Sequence, residues 1–383
     1  MIEVYAPASS GNFAVGFDLL GAALAPVSGA LLGDIVAIGA SDSGQDEFVC
    51  SGKYAEKLAG PKEDNLAYQC LVHFREHVSS DMPACKLELK KNLPVGSGLG
   101  SSACSVVAAF AALDKFANTN FSQKQLLALM ADFEEKVSGG RHYDNIAPCY
   151  LGGLQLCGDL VPNNSLALPT DENWQLVVAY PGFALNTAKA RAVLPKEVSM
   201  HTSINYGQRL SAFTALCFSG QFDSAIALMK DELAEPYRQS LIAGFSEAKA
   251  ALPALGAEVV AISGAGPTLL ALTKSEAQAQ AIDAWLKENY LNENGFSHIC
   301  KIDNRGTRVL EKGESDVISG NGVKPINSRF VGRNIADRRV DNNSAIGRQY
   351  RPVESATIAK PVSSVNSADL AAGAGVGQAR SVA

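Results

Sequence analysis

The stretch "PVGSGLGSSA" (Pro94–Ala103) sets three glycines on alternate positions, adds two serines and runs straight into "CSVVAAFAALDKFA", an apolar, small-residue run. Glycine tolerates positive φ and lets backbone N–H groups approach a ligand closely. A glycine turn entering a helix aims several unpaired N–H groups at one place, and the helix dipole adds partial positive charge there. A phosphate suits that geometry. A tight turn that packs a small-residue helix onto a sheet would use the same glycines, so the turn alone leaves both readings open.

Two other phosphate loops can be tested against it. The Walker pattern G-x-x-x-x-G-K-[ST] fails, because no lysine follows Gly100. Gly98-Leu99-Gly100-Ser101-Ser102-Ala103 does satisfy G-x-G-x-x-A. A dinucleotide fold, however, needs a strand directly before the loop and an acidic residue about twenty residues later, at the end of a second strand. Asn92, Leu93 and Pro94 intervene on one side, and "LDKFANTNFS" on the other reads as helix then turn.

Outward from the loop, the chain reads as mixed helix and strand. "IEVYAPA", "GDIVAIGAS", "CKLELKK", "WQLVVAYPG" and parts of "AEVVAISGAGPTLLAL" carry strand signals. "NLAYQCLVHFREHV", "SQKQLLALMADFEEKVS", "HTSINYGQRLSAFTALCFSG", "FDSAIALMKDELA" and "SEAQAQAIDAWLKENY" have helical period. Ser122 is the expected N-cap of the second of these, and Ser101 or a neighbour that of the helix after the glycine loop. The elements do not alternate strictly, which favours an α+β architecture over a doubly wound sheet. A polar, Pro-containing connection, "LVPNNSLALPTDEN", suggests a domain boundary near residue 160, between domains 1–160 and 161–311. Residues 312–383 contain one leucine, two aromatics, ten Lys/Arg and six Asp/Glu. Such a tail is expected to be disordered, since it cannot bury enough apolar area to offset its ordering entropy.

Bulk properties narrow the function classes. The formal charge is −6, hydrophobic residues are 47% and charged residues 19% of the 383 residues. That balance is ordinary for a globular protein and gives no basic surface for nucleic acid. No run approaches the roughly 18 apolar residues of a membrane span. "MIEVYAPASSGN" does not read as a signal peptide. The eight cysteines show no C-x-x-C spacing and read as buried free thiols. These features together lead to an expectation of a cytoplasmic protein without membrane or nucleic-acid partners. His73 and His77 lie four apart but lack a further ligand motif, and read as surface-helix residues rather than a metal site.

With three stretches in order, a family resemblance emerges. "PVGSGLGSSAC" resembles the P-x-x-x-G-L-G-S-S-A signature of the GHMP small-molecule kinases. "APASSGNFAVGFDLLG" (Ala6–Gly21) resembles that family's N-terminal substrate motif, and "ISGAGPTLLAL" (Ile262–Leu272) its C-terminal glycine-rich motif. The flanking text "HYDNIAPCYLGG" (His142–Gly153) and "AEPYR" (Ala234–Arg238) is similar to the branch that phosphorylates homoserine, the step before threonine formation. The resemblance covers about residues 1–311. It implies a ribosomal-S5-like α+β N-terminal domain and a ferredoxin-like α+β C-terminal domain. It also implies ATP and magnesium as cofactors, homoserine and ATP as substrates, and a homodimer.

Site residues follow residue by residue from that resemblance. The ATP loop is Pro94, Val95, Gly96, Ser97, Gly98, Leu99, Gly100, Ser101, Ser102, Ala103 and Cys104. Magnesium is assigned to Ser102 and a carboxylate on the next helix. There the sequence offers Glu134 and Glu135, of which one can face inward. With Leu126 at 0° and about 100° per residue, Met130 falls near 40°, Leu127 near 100°, Glu134 near 80° and Glu135 near 180°. Glu134 thus lies inside the apolar stripe, where a carboxylate is costly unless a cation or donor meets it. The family pattern selects the same residue.

The resemblance assigns Asn12, Asp18, His142, Asn145, Thr187, Arg191 and Arg238 to the acceptor pocket. Two arginines suit an amino-acid carboxylate, because the guanidinium fork binds it bidentately. Asp144, Asp18 and His142 remain open as the general base, and a loose transition state needs no strong one. Alternatives are a GHMP kinase for mevalonate, a sugar or an isoprenoid precursor, and a non-catalytic GHMP-like binding protein.

Overall fold

The structure, a computed structural model, describes residues 1–138 and 140–311. The tail expected to be disordered, residues 312–383, lies outside the described residues. Among the described residues the strands are β1 Ile2–Pro7, β2 Ser9–Gly11, β3 Leu20–Pro26, β4 Gly33–Ala40, β5 Glu47–Ser51, β6 Cys85–Lys90, β7 Leu154–Cys157, β8 Ser165–Leu168, β9 Gln175–Tyr180, β10 Val259–Ile262, β11 Leu269–Thr273, β12 Phe296–Ile302 and β13 Arg308–Val309. The α-helices are α1 Leu66–His77, α2 Ser101–Ala117, α3 Gln123–Ser138, α4 Ile146–Leu151, α5 Thr187–Ala192, α6 Met200–Phe218, α7 Phe222–Ile226, α8 Glu235–Arg238, α9 Phe245–Ala251 and α10 Glu276–Asn289.

Two sheets organise these elements. One runs β13-β1-β4-β6-β5, with only β5 and β6 parallel. The other runs β10-β11-β9-β12-β3-β7-β8, with β2 paired to β3. The architecture is α+β, as the pattern of elements suggested. "CKLELK" alternates as a half-buried strand should, with Cys85, Leu87 and Leu89 inward.

Helix α2 is buried nearly all round, from Ser101 to Asp114. It packs on β1 and β4 and against α1, α3 and α4. A helix enclosed on every side must be narrow, which explains its run of Ala, Ser, Cys and Val. α1 starts where Asn65 accepts the Ala67 N–H at 3.0 Å. α3 starts at a capping box: the Gln125 N–H donates to Ser122 Oγ, and the Ser122 N–H to Gln125 Oε1.

Two local expectations are corrected and one is narrowed. The N-cap of α2, expected at Ser101 or a neighbour, is the neighbour Gly100, in the left-handed region at φ 65°, and no side chain caps the helix. Ser101 instead turns its hydroxyl to the Leu93 carbonyl at 3.3 Å. The helix expected over "FDSAIALMKDELA" stops at Ile226. Beyond it, the Asp231 carboxylate takes the N–H groups of Leu233, Ala234 and Glu235 at 2.8–3.0 Å and so launches α8. The supposed polar connection is not all loop either. Ser165–Leu168 forms β8, paired with β7.

The eight cysteines are all free, seven of them buried. His73 is half-buried on α1, stacks on His77 at 4.2 Å, and burial lowers its pKa to about 4. Among the described residues no three His, Cys, Asp or Glu side chains converge as a metal cluster, and no helix is long and apolar enough to cross a membrane.

Candidate active site

Four segments far apart in the chain are knitted together through backbone carbonyls. The Ser9 N–H donates to the Leu99 carbonyl, and the Gly264 N–H to the Gly11 carbonyl, both at 3.1 Å. Ser263 Oγ donates to the Gly98 carbonyl and Thr268 Oγ1 to the Ser97 carbonyl, both at 2.7 Å. The Leu185 N–H closes on the Gly96 carbonyl at 2.9 Å. Gly98 sits at φ 82°, and a Cβ there would lie 2.6 Å from the Ser263 carbonyl oxygen. Glycine is required both for the φ and for the close approach.

A cavity of about 520 Å³ opens between these segments. Its wall includes Val95–Gly98, Gly100–Ala103, Glu134, and every residue expected in the acceptor pocket. Pro94, Leu99 and Cys104 are buried behind it. The Cys104 thiol faces the sheet instead, against the Ala6 carbonyl and the Asp34 N–H.

At one part of the wall the first turn of α2 emerges from the glycine loop without a side-chain cap. An anion would meet its N–H groups and the positive end of the dipole. Beside it, Ser102 Oγ donates to Glu134 Oε2 at 3.3 Å. Glu134 is half-buried while Glu135 is exposed. Burial raises the Glu134 pKa, and the Ser102 hydrogen bond opposes that. A hydroxyl and a carboxylate on an anion-binding loop form a hard oxygen pair suited to a small divalent cation with phosphate oxygens.

Beneath the loop lies a buried network that the sequence reading did not single out. Lys91 Nζ donates to Asp34 Oδ2 at 2.5 Å, to the Ser101 carbonyl at 2.8 Å and to Ser105 Oγ at 2.9 Å. Asp34 Oδ1 takes the N–H groups of Asn92 and Leu93 at 2.9 and 3.1 Å. "KKNLP" gives no hint of which lysine turns inward. The partner lies 57 residues away.

The acceptor residues gather around residues 12–18, a loop with Asn12, Phe13, Ala14 and Asp18 at positive φ. Asn12 holds it, donating to the Gly264 carbonyl at 2.8 Å and accepting the Asp18 N–H at 3.0 Å. Arg191 on α5 forks onto Asp18 at 2.9 and 3.1 Å. His142 Nδ1 lies 3.9 Å from the same carboxylate. Arg238 is 3% exposed, and donates from Nε to the Ala190 carbonyl and from Nη1 to the Gly264 carbonyl, both at 3.0 Å. Asn145 accepts from Ser9 Oγ at 3.0 Å. Thr187 begins α5 behind its N-cap, Asn186.

Asp144 is the most deeply buried of the three candidate bases. Burial, then the Asp18 charge, pushes its pKa up to about 7, against the pull of Arg191. A Cβ on Gly11 would lie 2.4 Å from its Oδ2, so that glycine lets the carboxylate lie against β2. Burial lowers the His142 pKa despite the neighbouring Asp18. His142 is thereby held toward the neutral imidazole, while the Asp144 carboxyl, poised near neutrality, can exchange a proton near pH 7.

The family profile "GHMP kinases N terminal domain" matches residues 65–153, and "GHMP kinases C terminal" matches residues 213–292. A crystal structure of homoserine kinase from Cytophaga hutchinsonii shares 30% identity and a TM-score of 0.73, over 81% of this chain and 97% of that one. The chain belongs to the GHMP kinase family. A putative homoserine kinase from Listeria monocytogenes has the same fold at 19% identity and a TM-score of 0.60, over 82% of this chain and 100% of that one. So does L. major mevalonate kinase in complex with R-mevalonate, at 16% and 0.59, over 78% of this chain and 94% of that one. Membership makes this an ATP-using small-molecule kinase. The N-terminal GHMP profile spans the glycine loop and Glu134, and the C-terminal one spans Arg238 and Ser263–Thr268. Asn12, Asp18, Thr187 and Arg191 fall outside both matched ranges.

Proposed function

We propose that this GHMP kinase transfers the γ-phosphoryl group of ATP to the side-chain hydroxyl of L-homoserine, giving O-phospho-L-homoserine and ADP. One observation carries the choice of acceptor: the cavity wall sets the carboxylates of Asp18 and Asp144 beside the guanidinium groups of Arg191 and Arg238. An α-amino acid presents an ammonium and a carboxylate together, and so complements that mixed cluster. Mevalonate or a sugar has no ammonium to offer it. The 30% identical Cytophaga enzyme supports the same acceptor.

The chemistry asks for positioning and charge stabilisation. The backbone of Gly96–Ser102 would cradle the ATP phosphates. Ser102 and Glu134 would hold a magnesium ion, which when bound neutralises phosphate charge. Arg238 would take the acceptor carboxylate, with Arg191 joining it as its fork exchanges between Asp18 and the substrate. The homoserine oxygen attacks the γ-phosphorus, the bond from that phosphorus to the β,γ-bridging oxygen breaks, and the hydroxyl proton is lost. Asp144 is our choice to receive that proton, since its pKa of about 7 suits it to work near neutral pH. The protein would act in the cytoplasm as a homodimer and supply a precursor of threonine.

The test is ADP release by the purified protein with ATP and magnesium, against homoserine, mevalonate and galactose. Homoserine should be the preferred acceptor by at least a hundredfold in kcat/KM. Equal or better turnover of mevalonate or galactose overturns the proposal.

A further inference from the structure

Arg191 is held by Asp18 and Arg238 by two backbone carbonyls, and beyond those hydrogen bonds the two guanidinium groups share one aromatic neighbour. The Cζ atoms of Arg191 and Arg238 lie 6.0 and 5.4 Å from the centroid of a single ring, that of Phe17. Their mutual repulsion is felt, since the Arg238 pKa is lowered by burial first and by Arg191 next. An aromatic quadrupole attracts both cations to the same ring. Phe17 is half-buried and belongs to none of the hydrophobic clusters of the described residues, so core filling does not account for it. Its backbone is tethered as well. Tyr206 on α6 donates its hydroxyl to the Phe17 carbonyl at 2.9 Å. The next residue, Asp18, is the one that grips Arg191.

We infer that Phe17 is a positioning residue for the acceptor half of the cavity: its ring sets the spacing of Arg191 and Arg238, and Tyr206 fixes where the ring stands. This rests on the homoserine kinase function proposed above. Phe17 itself is not part of the cavity wall, so it acts through the arginines.

The experiment compares Phe17→Leu, Phe17→Tyr and Tyr206→Phe with the wild type in steady-state kinetics for both substrates, with melting temperatures alongside. Phe17→Leu should raise the KM for homoserine about tenfold, the scale of a lost cation–π contact at a partly desolvated site. The KM for ATP should stay within about twofold. Phe17→Tyr keeps the ring face and should restore the homoserine KM to within about twofold of wild type. Tyr206→Phe should raise it about threefold, the scale of one neutral hydrogen bond. A homoserine KM unchanged in Phe17→Leu overturns the inference. So does a parallel rise of both KM values, or a Phe17→Tyr as impaired as Phe17→Leu. If Phe17→Leu does not fold, Tyr206→Phe decides by its effect on the homoserine KM alone. A wild type active on homoserine with unaffected variants refutes only the role of Phe17. A wild type inactive on homoserine refutes the proposed function and takes this inference with it.

Discussion

Lys91 and Asp34 form an ion pair 2.5 Å long, with side chains 2% and 0% exposed, at the neck of the glycine loop. Asp34 holds the backbone entering the loop at Asn92 and Leu93, and Lys91 holds the backbone leaving it at the Ser101 carbonyl. The pair therefore fastens both feet of the segment whose N–H groups face the cavity. Buried charges of this kind are stable only when every partner is in reach, and here four groups besides the pair itself satisfy them.

Lys91→Met should accordingly destabilise the protein by about 3–5 kcal/mol, because it leaves Asp34 charged and buried. Lys91→Met with Asp34→Leu should recover part of that loss, since no buried charge remains. Urea denaturation of the three proteins measures both. A single variant as stable as the wild type would contradict the clamp.

Glu134→Gln should remove most turnover, and Glu135→Gln little. The two residues are chain neighbours, but one meets the Ser102 hydroxyl at 3.3 Å and the other points to solvent. A loss of kcat by at least about a hundredfold in the first, and by less than twofold in the second, is the expected scale for losing a carboxylate that would hold the magnesium ion against the phosphates. Equal effects would refute the assignment.

Much of this site was legible in the sequence, for a physical reason. Glycines that must take positive φ, a carboxylate inside an apolar helix stripe and arginines in a motif context all leave local marks. The face of α3 followed from angular spacing alone, and it selected Glu134. What left no mark was pairing over distance. Nothing in "KKNLPV" says that Lys91 rather than Lys90 is buried, and nothing near Asp34 announces its partner. The cap of α2 was legible only to within a residue, because Ser101 is a good capping residue type, while a helix that starts from a left-handed glycine needs no side-chain cap. The short helix α8 was hidden by an Asp231 cap within a run that has helical period.

Arg238→Leu should raise the KM for homoserine strongly and leave ATP affinity nearly unchanged. Its guanidinium would hold the acceptor carboxylate, and the truncation would leave that carboxylate desolvated and partly unpaired, at a cost of about 2–5 kcal/mol. The same change removes the guanidinium donor from the Ala190 carbonyl and leaves the Gly264 carbonyl with Asn12 alone, so kcat should fall too as α5 and residues 263–268 lose a common anchor. Nucleotide binding by calorimetry separates the two sites. A variant that lost ATP affinity and kept its KM for homoserine would move Arg238 to the nucleotide side.

Asp144 gives a prediction in which stability and activity move in opposite directions. Its pKa is raised from 3.8 to about 7 by burial and by Asp18. Between those two pH values the folded protein holds a proton that the unfolded chain has released. Stability therefore falls as pH rises from about 4 to 7, and above that the folded state carries the full cost of a buried charge. Asp144→Asn removes the titration while keeping shape. It should be more stable than wild type at pH 8, by up to about 4 kcal/mol, with the advantage shrinking toward pH 4. If the ionised carboxylate accepts the homoserine proton, wild-type kcat should rise through pH 7, and Asp144→Asn should lose both that rise and most of its turnover. Urea titrations at pH 5 and pH 8 and a pH–rate profile test the two halves separately. A variant destabilised equally at both pH values would show that the carboxylate is held by favourable contacts rather than strained by burial. An unchanged pH–rate profile would pass the proton to His142 or to water.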